Sequence, residues 1–253
     1  MQETSNKYKA MISTDWNECL APTGPFDPIA FCWPELKTEL EAIFRQYTGN
    51  IITLGQAVER LSRLLPHPLT KEQMDAYLDG HFATYKGVPD LIEWCSENHI
   101  LFMINTTAVI GFFQRIFAKG LLPPVAALSG HDMIVFPAEN TDPPIILPLH
   151  ETSDKAINTQ QVARRFGIDP YKIIIIGDSG GDGPHFEWGA SQGCHLIGSM
   201  TKYSLQSYCT SRGINITTYF GIRYDKDQPR DPRREMQFDF FELRDVIERV
   251  LLK

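Results

Sequence analysis

Four consecutive β-branched residues, Ile173 to Ile176, run directly into Gly177-Asp178-Ser179-Gly180-Gly181-Asp182-Gly183. A short, uninterrupted apolar run that stops at turn residues describes a strand buried on both faces, as in a parallel sheet covered by helices. Ligands of open α/β sheets bind at the carboxyl ends of the strands. The turn places two carboxylates, Asp178 and Asp182, at such an end, and hard cations such as Mg²⁺ prefer carboxylate oxygens. Without further context the same residues are ordinary turn formers.

The rest of the chain supplies that context by alternating strand and helix patterns. Tyr8 to Thr14 has strand length and stops at Asp15. Residues from about Pro22 to Lys86 then show helical spacing only. Leu36, Leu40, Ile43, Phe44 and Tyr47 share one face, Leu54 to Leu65 repeats the pattern, and Thr70 with Gln73 forms a capping box ahead of Met74, Tyr77 and Leu78. Alternation resumes with helix at Val88–Asn98, strand at Ile100–Ile104 and helix at Ile110–Ala118. Short apolar pieces between Val125 and Leu149 suggest a small hairpin, followed by a helix at Asp154–Phe166. After the glycine-rich turn come helix (Phe186–Gln192), strand (His195–Gly198), helix (Tyr203–Ser211), strand (Ile216–Ile222) and a last helix, Phe240–Leu252. Asp225 to Glu235 is charged and Pro-bearing and reads as a mobile surface loop. The expected fold is α/β: a Rossmann-like parallel sheet with helices on both faces, plus a small all-helical insert after the first strand.

At 253 residues the chain suffices for one large domain or a core plus an insert. A net charge of -7 argues against a general nucleic-acid binder. No window approaches the ~20 apolar residues of a membrane span. Met1 to Lys7 lacks the apolar stretch of a signal peptide. The five cysteines are scattered, without a CxxC pair, so reduced thiols in a cytoplasmic protein are expected. Nothing in the sequence sets an oligomeric state.

Three more residues stand at positions suited to chemistry. Asp15 directly follows the first strand, where a carboxylate serves as a metal ligand, as a nucleophile forming an acyl phosphate, or simply as a cap. Thr106 follows the strand Ile100–Ile104, where its hydroxyl and the following N–H, that of Thr107, suit a phosphate oxygen or a helix cap. Lys155 opens a helix, an end that disfavours cations, so it suits an anion reached from there; a solvated lysine is the plain alternative.

The order of these elements, strand-Asp15, strand-Thr106, Lys155 before a helix and strand-Gly177-Asp178 with Asp182, resembles the haloacid dehalogenase-like superfamily. The helical insert and the expected hairpin look like its phosphoserine phosphatase-like branch, over about Tyr8 to Leu252. The resemblance implies a core of residues 1–20 and 87–253 with a helical cap at 21–86. It also implies a Mg²⁺-dependent hydrolase of a small phosphorylated metabolite. In that scheme Asp15 is phosphorylated and then hydrolysed. Mg²⁺ is held by Asp15, the Asn17 carbonyl and Asp178, with Asp182 in support. Thr106, Thr107 and Lys155, with N–H groups at Trp16 and Asn17, bind phosphate oxygens.

One position departs from the pattern. The family's phosphatases usually carry, two residues after the nucleophile, an Asp that protonates the leaving group; here Asn17 stands there. An amide cannot donate and recover a proton, a function typically worth about 10²–10⁴-fold. Either the leaving group needs little protonation, or another residue (Glu18, His185, His81, His150) supplies the proton. Otherwise the chain binds a phosphorylated ligand without turnover. Hydrolysis at carbon is a further alternative. Phe26, Phe31, Trp33, Arg45, Arg60, Arg63 and His81 are candidates for the inner face of the cap.

Overall fold

The computed structural model describes residues 7–49 and 51–251; the chain start at Met1 and the expected end of the last helix at Leu252 lie outside the described residues. Strands β1 (Ala10–Thr14), β2 (Ile100–Val109), β3 (Ala127–His131), β4 (Ile146–Pro148), β5 (Ile173–Gly177), β6 (His195–Thr201) and β7 (Thr218–Arg223) form one sheet in the order β4-β3-β2-β1-β5-β6-β7. Every neighbouring pair is parallel.

The apolar runs explain the layering. Successive side chains of a strand point to opposite faces. Ile174 and Ile176 join Ile12, Phe102 and Ile104 on one face, while Ile173 and Ile175 join Met11, Leu101 and Met103 on the other. The first face is covered by α5 (Val88–Glu97), α6 (Ile110–Ala118) and α11 (Leu243–Leu251) through Leu91, Phe113 and Ile247. The second is covered by α7 (Asp154–Phe166), α8 (Gly183–Gln192) and α9 (Tyr203–Ser211) through Val162, Phe186 and Leu205.

Between β1 and α5 the described chain holds four α-helices, a short 3₁₀ turn and no strand: α1 (Asp27–Cys32), α2 (Lys37–Thr48), α3 (Leu54–Leu64) and α4 (Lys71–His81). Both reciprocal hydrogen bonds of the Thr70–Gln73 capping box form at α4, and Thr53 with Gln56 does the same at α3. Polar contacts tie these helices to the sheet layer. Arg115 of α6 forks onto both Asp75 oxygens (2.8 and 3.1 Å), and Glu151 accepts the Leu54 and Gly55 N–H groups at the start of α3.

Two expectations need correction. The segment from Val125 to Leu149 is not a hairpin, because β3 and β4 pair in parallel. A parallel return needs a crossover of about a dozen residues, and residues 132–145 provide it. Nor is Asp225–Glu235 only a surface loop. It contains the short helix α10 (Pro232–Glu235), and Glu235 is fully buried beneath Arg230, Tyr85 and Tyr224. Alternating charge and proline masked contacts with Glu18 and Tyr85, distant in sequence, which local pattern does not encode.

Candidate active site

The strand order reverses at β1 and β5. From β1 the chain spreads through β2, β3 and β4 to one side, then returns to place β5, β6 and β7 on the other. A crevice opens at such a switch point, and Asp15 and Asp178 are the residues that follow the two strands' carboxyl ends. The Asp15 N–H donates to the Ile176 carbonyl at 3.0 Å, fixing the two ends in register.

Asp15, Asp178 and Asp182 are all buried, and each offers an oxygen within 4.8 Å of the others. Lys155 lies among them, with its Nζ 3.1 Å from Asp15 Oδ1 and 2.6 Å from Asp182 Oδ1. Asp182 Oδ2 accepts the N–H groups of Asp178 (2.9 Å) and Ser179 (3.3 Å), so this carboxylate also closes the glycine-rich turn. Asp178 Oδ1 has no hydrogen-bond partner. A buried, unsatisfied carboxylate oxygen beside two further carboxylates fits a small hard cation, which takes oxygen ligands.

Burial lifts the Asp15 carboxyl above its usual value against the pull of Lys155, and lifts Asp178 well above it against Lys202. Burial opposes ionisation of Asp182 too, but the Lys155 ammonium and the two backbone donors hold its carboxyl below the usual range. Burial likewise works against the Lys155 ammonium, yet Asp15 and Asp182 keep it charged far beyond ordinary lysine behaviour.

Beneath the site, on the α7 side of the sheet, Asn105 Nδ2 donates to the Lys155 carbonyl (2.8 Å), Thr159 Oγ1 (3.0 Å) and Ser13 Oγ (3.1 Å). This knot fixes the first turn of α7 and hence Lys155. It also absorbs His185, whose Nε2 sits 2.9 Å from Thr159 Oγ1. Burial and the Lys155 charge push His185 down to about 3, so it is a neutral structural group.

Asp15, Lys155 and Asp178 line a pocket, and Asn17, Glu18, Tyr47, Thr107 and Lys202 also line it. Thr106 does not. Its hydroxyl accepts the Ala108 N–H at 3.2 Å, and β2 continues to Val109, beyond the apolar run that suggested its end. The side chain offered to the pocket is therefore that of Thr107. The Trp16 indole packs edge-on to Phe113 in the core, leaving only its backbone near Asp15. Asn17 Nδ2 donates to the Thr23 carbonyl at 3.1 Å, while Oδ1 is buried without a partner.

Three residues of the site escape sequence reasoning. Tyr47 reaches in from α2. Burial pushes its hydroxyl up to about 12, against Lys155 and a hydrogen bond with Thr107, so it remains a proton-bearing donor. Lys202 follows β6 and pairs with Asp178 Oδ2 at 2.7 Å and with Glu18. Arg230 pairs with Glu18 from the other side. Although burial opposes it, these two cations hold the Glu18 carboxyl below its usual range, so it carries no proton to give. His81 packs on Phe31 and Tyr77, and His150 lies near Asp132; neither lines the pocket. Arg45, Arg60 and Arg63 bond to Glu41, Gln46 and Glu59 on the outer surface of their helices.

Gly177 is where the turn comes closest to the sheet: a Cβ there would meet Asp182 Cγ at 2.6 Å. Gly177→Ala should therefore displace that carboxylate and cost about 1–3 kcal/mol of stability, the usual range for overpacking. Urea unfolding tests this, and an unchanged midpoint would mean that the turn yields freely.

No protein-family model matches the chain, and no curated protein matches it in sequence. Solved structures do match its fold. A phosphoserine phosphatase held as a phospho-aspartyl intermediate analogue aligns with a TM-score of 0.67 at 15% identity, covering 94% of this chain and 99% of that one. A substrate-bound phosphoserine phosphatase gives 0.65 at 15% identity, over 94% and 97%. A HAD family hydrolase from Salmonella enterica serovar Typhi gives 0.68 at 19% identity, over 95% of this chain and 72% of that one. The parallel sheet whose strand order reverses between β1 and β5 thus has the fold of these phosphoserine phosphatase and HAD hydrolase structures.

Proposed function

We propose that the protein is a Mg²⁺-dependent phosphatase acting on a small phosphorylated metabolite through an aspartyl-phosphate at Asp15. The observation that carries this reading is the convergence of Asp15, Lys155, Asp178 and Asp182 in one buried cluster at the sheet's switch point. An Asp15 oxygen attacks phosphorus as the bond to the leaving oxygen breaks. Water then attacks the phosphoryl group, releasing phosphate and restoring the carboxylate. Lys155 holds the nucleophile in place and, with the Thr107 and Tyr47 hydroxyls, meets charge on the non-bridging oxygens. Positioning and charge stabilisation supply most of the catalysis in phosphoryl transfer. Mg²⁺ would be held by Asp15, Asp178 and, by the resemblance, the Asn17 carbonyl, with Asp182 in support. When bound it relieves repulsion between carboxylates and a phosphate dianion.

Proton supply limits this site. Asn17 carries no transferable proton, Glu18 is held ionised, and His185 lies beneath the sheet. The leaving group must therefore depart as a stable anion, as acyl, enol and aryl oxygens do. Asn17→Asp should raise kcat/KM for an alkyl phosphate by about tenfold or more, part of the usual acid–base contribution, and change acetyl phosphate little. Equal gains on both would remove Asn17 from the proton-transfer position.

The cation assignment has its own test. Mg²⁺ should raise the melting temperature, and Asp178→Ala should abolish most of that rise, because a ligand that binds only the folded state stabilises it. The phosphatase reading is tested by phosphate release from acetyl phosphate and p-nitrophenyl phosphate with and without Mg²⁺. A folded protein that releases none, yet is stabilised by phosphate, is a phosphate-ligand binding protein.

A further inference from the structure

Beside the phosphate pocket lies a second, apolar chamber, and the two share Asn17, Pro25, Tyr47 and Thr107. The helical segment forms one wall, with Phe26, Ile29, Leu61 and Met74; the chain after β2 and β3 forms the other, with Phe112 and Met133. No Asp, Glu, Lys or Arg lines it. The polar residues are Asn17, Tyr47 and Thr107 at the junction with the phosphate pocket, and His131. The His131 ring accepts the Met133 N–H at 3.0 Å, and burial keeps its pKa below the usual value, so it adds no charge at neutral pH.

Such walls reward apolar surface and penalise an unpaired charge taken out of water. An amino acid leaving group, with its ammonium and carboxylate, would find no ionic partner in the chamber. A groove elsewhere is charged, lined by Glu18, Asp27, Lys37, Glu41 and Arg230. Arg230, however, is committed to Glu18 and Glu235. Asn17, the residue that the resemblance sets against the leaving oxygen, lines the apolar chamber and not the charged groove. Taking the phosphatase reading as given, we infer that the substrate is an acyl, enol or aryl phosphate whose apolar group lies in the chamber between Phe26, Leu61, Met74 and Phe112. This sets the chain apart from the phosphoserine phosphatases that share its fold.

Non-hydrolysable phosphonates test the chamber independently of turnover. In Mg²⁺ buffer, calorimetry should show hexylphosphonate binding at least ~30-fold tighter than methylphosphonate, a fraction of what burying five methylenes allows. It should bind at least ~30-fold tighter than 2-amino-3-phosphonopropionate as well. Ala57→Phe, which fills the chamber from α3, should reduce the advantage over methylphosphonate to under about fivefold and leave methylphosphonate itself unchanged. Val58→Lys, on a half-buried position of the same wall, should do likewise should the first variant fail to fold. Equal affinities, preference for the amino acid phosphonate, no binding at all, or an advantage that survives both variants would each overturn the inference. Acetyl phosphate turnover separates the two readings. Turnover without alkyl preference removes the apolar chamber alone, whereas alkyl preference without turnover of acetyl or hexanoyl phosphate removes the phosphatase and keeps an apolar phosphate-ligand binder.

Discussion

Asp15→Asn is expected to lower Mg²⁺-dependent phosphate release from acetyl phosphate by on the order of 10⁴-fold or more, the scale seen when a nucleophile is removed from an otherwise intact site. The substitution suits the question because it is nearly isosteric and leaves the surroundings paired. Lys155 keeps its 2.6 Å contact with Asp182, and Asp182 keeps the two backbone donors that close the turn. The variant should accordingly fold, with unchanged circular dichroism. Two readouts separate loss of the nucleophile from general damage. Acid quenching during turnover of ³²P-labelled substrate should trap label on the wild-type protein and none on the variant. Phosphate or a phosphonate should still stabilise the variant against heat, since Thr107, Tyr47 and Lys155 remain. Release that persists in Asp15→Asn would assign the attack to another group and remove the aspartyl-phosphate route.

The parts of this site that depend on local pattern were legible in the sequence. Four isoleucines in a row require burial on both faces, and β5 obtains it by alternating Ile173 and Ile175 with Ile174 and Ile176 between two helix layers. The carboxylates at its end, and Asp15 at the end of β1, follow from the rule that ligands gather at carboxyl ends. Thr70 shows the same economy, because a capping box lies within four residues and this one forms. Where the sequence misled, a boundary or a distant partner decided. Because β2 runs past Ile104 to Val109, the side chain in the pocket is Thr107 and not Thr106. Because β6 runs to Thr201, Lys202 stands at a strand's carboxyl end, a place that a four-residue strand ending at Gly198 conceals. Tyr47 shares an apolar helical stripe with Leu40 and Ile43, and only the way α2 lies over the strand ends turns its hydroxyl toward Lys155. Arg230 and Glu18 are separated by 212 residues, beyond any periodicity argument.

Arg230 also carries the second large effect, through its pairing with buried Glu235. Arg230→Ala should destabilise the protein by about 3–5 kcal/mol, the usual cost of removing one partner from a buried ion pair. For a domain of this size that is a fall of roughly 6–20 °C in melting temperature. Glu235 is fully buried and accepts from Arg230 (3.0 and 2.5 Å), Tyr85 (2.5 Å) and Tyr224 (2.7 Å). Tyrosine hydroxyls alone leave a buried carboxylate without a countercharge. Although burial opposes it, Arg230 and the two hydroxyls hold the Glu235 carboxyl below its ordinary value of 4.5. A depressed folded-state pKa means that this stabilisation is fully present above pH 4.5 and is lost as pH falls through the folded-state value. Arg230→Ala should therefore flatten that acid limb of the stability curve while lowering the plateau above it. A cycle with Glu235→Gln isolates the pair: the double variant should recover at least about 1.5 kcal/mol relative to the sum of the single losses. Should Arg230→Ala instead cost less than about 1 kcal/mol, the value for an exposed pair, residues 225–235 would be the solvated loop that their composition suggests. The tie from the C-terminal region through Glu18 to Lys202 and Asp178 would then have no energetic weight.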